Sequence, residues 1–101
     1  MTANFFNVIE VDPAKQQELI ELLEEGTESV IRHRPGFVSV NLFASADGSK
    51  VINWAQWAGP EDAEATLGDP AAQEFAKRTA AIAEASPGVY ALVAEFKAEP
   101  A

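Results

Sequence analysis

The 101-residue sequence contains no cysteine and only one histidine. Without cysteine there is neither a disulfide framework nor a thiolate ligand, and a single histidine does not favour a zinc or haem site. No apolar run approaches the ~20 residues that cross a bilayer. The first residues lack the basic and then apolar segments of a secretory signal. We therefore predict a cytoplasmic protein without a thiolate metal site, a zinc site or a haem.

Basic residues are also scarce, with seven Lys and Arg against sixteen Asp and Glu and a net charge of −9. This balance argues against nucleic acid and anionic membranes as partners. The sequence has no glycine-rich phosphate loop, nucleophile elbow or Cys/His pair. A composition of 48% hydrophobic and 23% charged residues is typical of a globular protein. The length predicts a single domain over residues 1–101.

Turn and helix-start signals predict the order βαββαβ. The resulting fold is α+β and ferredoxin-like, with helices on one face of an antiparallel sheet of strand order 4-1-3-2. The predicted elements are a strand at 3–11, a helix from Asp12-Pro13 to about Arg34, strands at 37–45 and 50–57 joined by Asp47-Gly48, helical pieces at 60–67 and 71–85 separated by Gly68-Asp69-Pro70, and a strand at 89–96.

The hairpin register predicts which side chains share a face, since directly paired residues point the same way. With Asp47-Gly48 as a two-residue turn, the first face is apolar except for Asn53 and the indole nitrogen of Trp57. We predict that this face packs against the helices. Its pairs are Ala44 with Val51, Leu42 with Asn53, Val40 with Ala55 and Val38 with Trp57.

The second face mixes aromatic and polar groups, which is typical of a protein interface. Its pairs are Phe43 with Ile52, Asn41 with Trp54, Ser39 with Gln56 and Phe37 with Ala58. We predict a homodimer that packs sheet to sheet.

Asn53 and Trp57 raise the question of function, because burying an amide and an indole N–H without partners costs about 1–3 kcal/mol each. Either both groups find partners in a solid core, or they line a cavity that holds a ligand. Asn7 lies in the middle of the first strand, but its face relative to Asn53 stays open. Leu42, opposite Asn53, is a candidate substrate contact. Arg78 on the last helix is either a surface charge or a group at the mouth of the cavity.

Gly26 lies on the same side of the first helix as the leucines that should face the sheet. Glycine in a helix interior marks either a close approach of another element or a weak point, and the sequence leaves both readings open.

The string "ASADGSKVINWAQW", with "RPGF" before it and "GDP" after it, resembles the antibiotic biosynthesis monooxygenase superfamily. The resemblance implies a dimeric ferredoxin-like enzyme that needs no flavin, metal or haem, because the electron-rich substrate itself reduces O₂. It also implies that Asn53 and Trp57 are catalytic, binding and activating substrate and oxygen. Asn7, Leu42 and Arg78 are the predicted substrate-binding residues.

Three positions depart from the patterns of that superfamily. Ala76 stands where quinone-forming members have an arginine, and Ala63 stands near the position of a tyrosine. Leu67 occupies the place of a histidine in haem-degrading members, so haem degradation is not predicted. The leading hypothesis is a cofactor-independent monooxygenase that oxidises an anthrone- or naphthol-type polyketide phenol to a quinone. The alternatives are a non-catalytic protein that binds aromatic ligands and a polyketide cyclase.

Overall fold

The computed structural model describes residues 2–100. Two short 3₁₀ turns, Pro13–Lys15 and Ile31–His33, flank the first helix. No helix in this range is long and apolar enough to cross a membrane. The regular elements, in chain order, are β1 (Ala3–Val11), α1 (Gln16–Ser29), β2 (Phe37–Ala44), β3 (Lys50–Trp57), α2 (Pro60–Leu67), α3 (Pro70–Ala80) and β4 (Ala83–Tyr90).

The four strands form one antiparallel sheet in the order β2-β3-β1-β4, which confirms the predicted topology. The side chains that form the core all lie on the sheet face that packs against the helices. They make two clusters, one around Trp57 and Ala63 and the other around Ile9, Leu19 and Val51. The core is therefore confined to one side of the sheet.

Proline and aspartate fix where the helices begin. The Asp12 carboxylate accepts a hydrogen bond from the backbone N–H of Ala14 at 2.9 Å, and Pro13 begins the 3₁₀ turn. Asp69 caps α3 in the same way, accepting from the N–H of Ala72 at 3.1 Å, with Pro70 as the first helical residue. A side-chain acceptor before a proline is a strong helix start. The second helical segment is consequently broken into α2 and α3, as the sequence predicted.

The β2–β3 register is confirmed from Ser39 to Ala44, including Leu42 opposite Asn53. Beyond Ser39 the prediction is wrong. A β-bulge shifts the register, so Phe37 rather than Val38 pairs with Trp57. The bulge inserts an extra residue into β2, so side chains before it point to the sheet face opposite to the one predicted. Phe37 therefore packs edge-on against Trp57, with ring centroids 5.7 Å apart, while Val38 is exposed.

The end of the chain differs from the prediction. The last strand is Ala83–Tyr90 rather than 89–96, and α3 ends at Ala80 rather than at residue 85. The strand contains Ser86-Pro87-Gly88, the segment that the prediction placed between the last helix and the last strand. An edge strand tolerates proline, because its outer side has no ladder partner that requires the missing N–H. β4 pairs only with β1 and is such an edge.

The second face of the sheet carries aromatic and polar side chains in alternating rows. Phe6 stacks on Trp54 with ring centroids 5.6 Å apart and meets the ring of Tyr90 edge-on at the same distance. The Asn4 side-chain oxygen accepts hydrogen bonds from Trp54 Nε1 at 3.1 Å and Gln56 Nε2 at 3.3 Å. We call this surface the outer face. The polar groups of Asn4, Trp54 and Gln56 thus bond to each other and leave the aromatic rings of this face available for contact.

Asp47 organises the hairpin loop. Its Oδ1 accepts hydrogen bonds from the Ser49 hydroxyl at 2.7 Å, the Ser49 backbone N–H at 2.9 Å and the Ser45 hydroxyl at 2.9 Å. Gly48 has a φ of +80°, a left-handed conformation that glycine adopts without strain. The hydrogen bonds, the Ser49 hydroxyl first among them, lower the pKa of Asp47 from 3.8 to about 2.

We predict that Ser49→Ala raises the pKa of Asp47 toward its ordinary value, because the largest cause of the depression is removed. Since the folded pKa is the lower one, the carboxylate stabilises the fold fully above 3.8 and loses this effect as pH falls through about 2. Carboxyl-carbon NMR titration measures the change. Ser39→Ala, in the sheet, is the control, and an unchanged titration in Ser49→Ala would contradict the assignment.

Candidate functional site

A cavity lies between the helices and the sheet face that packs against them, which we call the inner face. It consists of two neighbouring chambers that share lining residues. The first chamber has a volume of about 140 Å³ and is lined by Phe5, Ile31, Val40, Asn53, Ala55, Trp57, Ala63, Thr66, Leu67, Ala72, Gln73 and Ala76. The second chamber has a volume of about 220 Å³ and is lined by Phe5, Asn7, Leu22, Leu23, Gly26, Thr27, Ile31, Asn53, Leu67, Phe75, Ala76, Thr79, Ala85 and Pro87. Five residues line both chambers: Phe5, Ile31, Asn53, Leu67 and Ala76.

Asn53 lies at the junction of the two chambers. It is in the middle of β3, and its side chain points from the sheet toward the helices. Its Oδ1 atom is buried and has no hydrogen-bond partner within residues 2–100. An unsatisfied buried oxygen costs about 1–3 kcal/mol, and native proteins rarely tolerate one without a reason. Asn53 thus lines both chambers with an amide whose oxygen the rest of the fold does not satisfy.

Asn7 lies directly opposite Asn53 in the β1–β3 pairing, which settles the face that the sequence left open. Both amides point into the second chamber. The Asn7 Oδ1 accepts a hydrogen bond from the backbone N–H of Ser86 at 3.0 Å. This bond ties the side chain to the edge strand and fixes the orientation of the amide. Its NH₂ group is the remaining hydrogen-bonding group.

Trp57 closes the far end of the first chamber. The residue is only 3% exposed and packs with Ala3, Ala55 and Ala63. The edge-on ring of Phe37 holds the indole from the side. Asn53 and Trp57 therefore share the helix side of β3 and one chamber, four residues or about 13 Å apart along the strand.

Two further polar side chains line the first chamber, and the sequence analysis missed both. The Thr66 hydroxyl donates to the Asp62 carbonyl at 3.0 Å and accepts from Arg34 Nε at 3.4 Å. Gln73 Nε2 donates to the Leu67 carbonyl at 3.2 Å. Helical spacing was the available signal, because Thr66 follows Ala63 by three residues and Gln73 precedes Ala76 by three.

Leu42 and Arg78 lie outside both chambers. Leu42 shares the inner face with Asn53 but borders a shallow groove beside Glu24 and Glu28 on α1. The Arg78 guanidinium pairs with the Glu25 carboxylate at 3.3 Å on the surface and covers the ring of Phe75. Thus, of the five predicted site residues, the fold brings Asn7, Asn53 and Trp57 together, while Leu42 and Arg78 stay apart from them.

The chambers contain no ionisable side chain among the residues described. Ala63 and Ala76, the positions noted for their missing tyrosine and arginine, both line the first chamber. Leu67 lies at the junction. No cluster of three or more His, Cys, Asp or Glu that could hold a metal occurs within residues 2–100. The cavity therefore offers neutral hydrogen-bonding groups in an apolar setting.

Comparison with solved structures identifies the fold. SnoaB, a cofactor-independent oxygenase from Streptomyces nogalater, aligns with a TM-score of 0.81 over 94% of this chain and 96% of that one, at 19% identity. The ActVA-Orf6 monooxygenase of Streptomyces coelicolor, solved in complex with nanaomycin D, aligns with a TM-score of 0.75 over 94% and 92% of the two chains, at 28% identity.

Sequence comparison identifies the family. Tetracenomycin F1 monooxygenase of Streptomyces glaucescens is 48% identical over 67 residues, or 66% of this chain. The match spans 60% of that protein, which is less than two thirds of its length. The sequence profile named antibiotic biosynthesis monooxygenase matches residues 5–78. The chain therefore belongs to the antibiotic biosynthesis monooxygenase family.

Proposed function

We propose that this protein is a monooxygenase that oxidises a polycyclic aromatic phenol of the anthrone or naphthol type to a quinone with O₂, without a cofactor. The observation that carries the proposal is that Asn53 lines both apolar chambers while its buried side-chain oxygen has no partner within residues 2–100. Family membership and the tetracenomycin F1 and ActVA-Orf6 monooxygenases support the class of reaction.

The substrate itself supplies the electrons in the proposed reaction. An ionised phenol delocalises its charge onto a ring carbon, which transfers electrons to O₂ and forms a carbon–oxygen bond. The phenol proton has passed to water, and water returns a proton to the carbon-bound peroxide. The carbon then loses its remaining C–H proton to water as the O–O bond breaks and hydroxide leaves, which that proton converts to water. One oxygen atom remains on carbon as C=O, and the other leaves as water. A CH₂ group and O₂ thus give a carbonyl and water.

Asn53 and Trp57 are the proposed catalytic residues. Negative charge develops on the phenol oxygen and then on the peroxide, and fixed neutral donors stabilise such charge in an apolar site. A 180° rotation of the Asn53 side-chain amide exchanges the positions of its carbonyl oxygen and its NH₂ group. The amide can therefore accept a hydrogen bond from a phenol or donate one to an oxyanion.

The size of the cavity supports a polycyclic substrate. Small-molecule sites usually have volumes of ~300–1,000 Å³. At about 140 and 220 Å³, each chamber alone falls below this range. A fused-ring ligand would therefore occupy both chambers and pass Asn53 at their junction. Asn7, in the second chamber, is the proposed polar contact to its far end.

A homodimer formed through the outer face is part of the proposal. Phe6, Trp54 and Tyr90 form a contiguous aromatic surface there, and Phe43 is 53% exposed. Beyond β4, the chain carries three exposed apolar side chains: Leu92, Val93 and Phe96. A contiguous apolar surface of this kind usually marks a contact with another protein. A second copy provides an identical, self-complementary surface.

We expect Asn53→Ala and Trp57→Phe each to lower kcat/KM by at least about tenfold, because each removes a hydrogen-bonding group that stabilises developing charge. Dithranol, an anthrone, serves as the substrate, and oxygen uptake and quinone absorbance are measured above the rate without protein. Asn41→Ala, on the opposite face of the same sheet, is the matched control. Wild-type rates in both variants would remove these residues from the mechanism. If dithranol quenches the tryptophan fluorescence of the wild-type protein without oxygen uptake, the protein binds aromatic ligands but does not oxidise them.

We expect Asn53→Leu to raise the free energy of unfolding by about 1 kcal/mol while activity is lost, because a nearly isosteric apolar side chain replaces an unsatisfied buried amide. Denaturant unfolding measures the change. Gln17→Leu, at an exposed position of α1 away from the sheet, is the control and should give no such gain. A loss of stability in Asn53→Leu would show that the amide is satisfied in the folded protein.

We expect Phe43→Glu to convert a dimer into a monomer, because it places a charge on the exposed apolar part of the outer face. Phe43→Tyr, which keeps the aromatic surface, should remain dimeric. Sedimentation velocity at micromolar concentration distinguishes the two states. A wild-type protein that sediments as a monomer under these conditions would refute the dimer.

A further inference from the structure

Phe75 forms one wall of the second chamber, and its position depends on a glycine. Gly26, buried on α1, faces Phe75 on α3. A Cβ atom added at Gly26 would lie 3.1 Å from Cγ and 3.2 Å from Cδ1 of the ring. Contacts this short are tighter than most real Cβ contacts, so a side chain at this position would require the ring to shift by a few tenths of an ångström. Glycine in a helix interior costs about 0.5–1 kcal/mol relative to alanine, and this approach is the reason for tolerating it.

Arg78 also confines the ring of Phe75. The Arg78 guanidinium lies over the ring with its Cζ 5.0 Å from the centroid. Arg78 also pairs with Glu25, the residue next to Gly26, at 3.3 Å. Both charged groups are about half exposed, so the ion pair itself contributes little to stability. With Gly26 on one side and Arg78 on another, the second chamber is the space into which the ring can move.

We propose that Phe75, seated against Gly26, sets the length of the fused-ring ligand that the cavity accepts. This inference rests on the proposed function, because it assumes that a planar aromatic ligand occupies both chambers. Phe75 belongs to the second chamber alone, so a two-ring ligand that fills the first chamber and the junction avoids it. A longer ligand extends toward it. Arg78 is then a positioning residue, which acts on the ligand through the ring.

Equilibrium binding, measured without turnover, tests this inference. The probes are 1-naphthol, 1-hydroxyanthraquinone and 6-hydroxytetracene-5,12-dione, which present two, three and four fused rings. Anaerobic titration calorimetry gives a dissociation constant for each probe with the wild-type protein and its variants. Glu74→Ala, at the exposed position of α3 next to Phe75 that lines neither chamber, is the matched control.

Phe75→Ala should shift the affinity ratio of four-ring to two-ring probe by at least about tenfold in favour of the longer one, since even a methylene-sized change in a pocket alters discrimination by 10–200-fold. Gly26→Ala should shift the ratio in the opposite direction and by less, because the added methyl group requires the ring to shift by a few tenths of an ångström and the chamber is the side with room for it. Arg78→Ala should change the ratio in the wild-type background but not in Phe75→Ala. A direct contact of Arg78 with the ligand would instead lower affinity in both backgrounds.

The outcomes separate this inference from the proposed function. Unchanged ratios in folded Phe75→Ala would overturn the inference alone, whether or not Gly26→Ala folds. A wild-type protein that binds none of the three probes would overturn the proposed function and this inference with it. A protein that binds the probes with the expected shifts but never consumes oxygen would support the inference and refute only the oxidation.

Discussion

In the antiparallel pairing of β1 with β3, Asn7 lies opposite Asn53, and this register decides what the cavity can do. Side chains alternate between the two faces of a strand, so a slip by one residue would turn both amides toward the outer face. The same register places Ile9 opposite Val51, two of the most deeply buried side chains of the core. Burial of these apolar residues thus fixes the position of the polar ones. The site depends on the core for its geometry.

The site carries its polarity at a cost to stability. Most polar side chains along the cavity have internal partners, as the hydroxyls of Thr66 and Thr79 have in their own helices. The buried oxygen of Asn53 is the exception. A functional group that is satisfied only by its ligand destabilises the empty protein, and stability and activity conflict at such positions. For this reason the unpartnered amide is a stronger indication of function than the shape of the cavity.

The break between α2 and α3 gives the cavity its width. Asp69 and Pro70 start a new helix, so the segment that covers the sheet is not one straight rod. Ala63 on α2 and Ala76 on α3 keep the space between these helices and the sheet free of large side chains. The approach of Phe75 to Gly26 closes the other end. Small residues at the walls, and not a single large opening, thus create the room for a ligand.

The sequence by itself determined the order of elements, the strand order and the face shared by Asn53 and Trp57, because capping residues, the Asp47-Gly48 loop and apolar alternation are local signals. It did not determine the bulge at Phe37 or the strand at Ala83–Tyr90. Both features depend on which backbone hydrogen bonds form with the neighbouring strand of the sheet. It also left open the face of Asn7 and the meaning of Gly26. Only the tertiary structure could decide these two questions, because each depends on a residue far away in the sequence. The face of Asn7 is defined by its pairing with Asn53, and the role of Gly26 by its contact with Phe75.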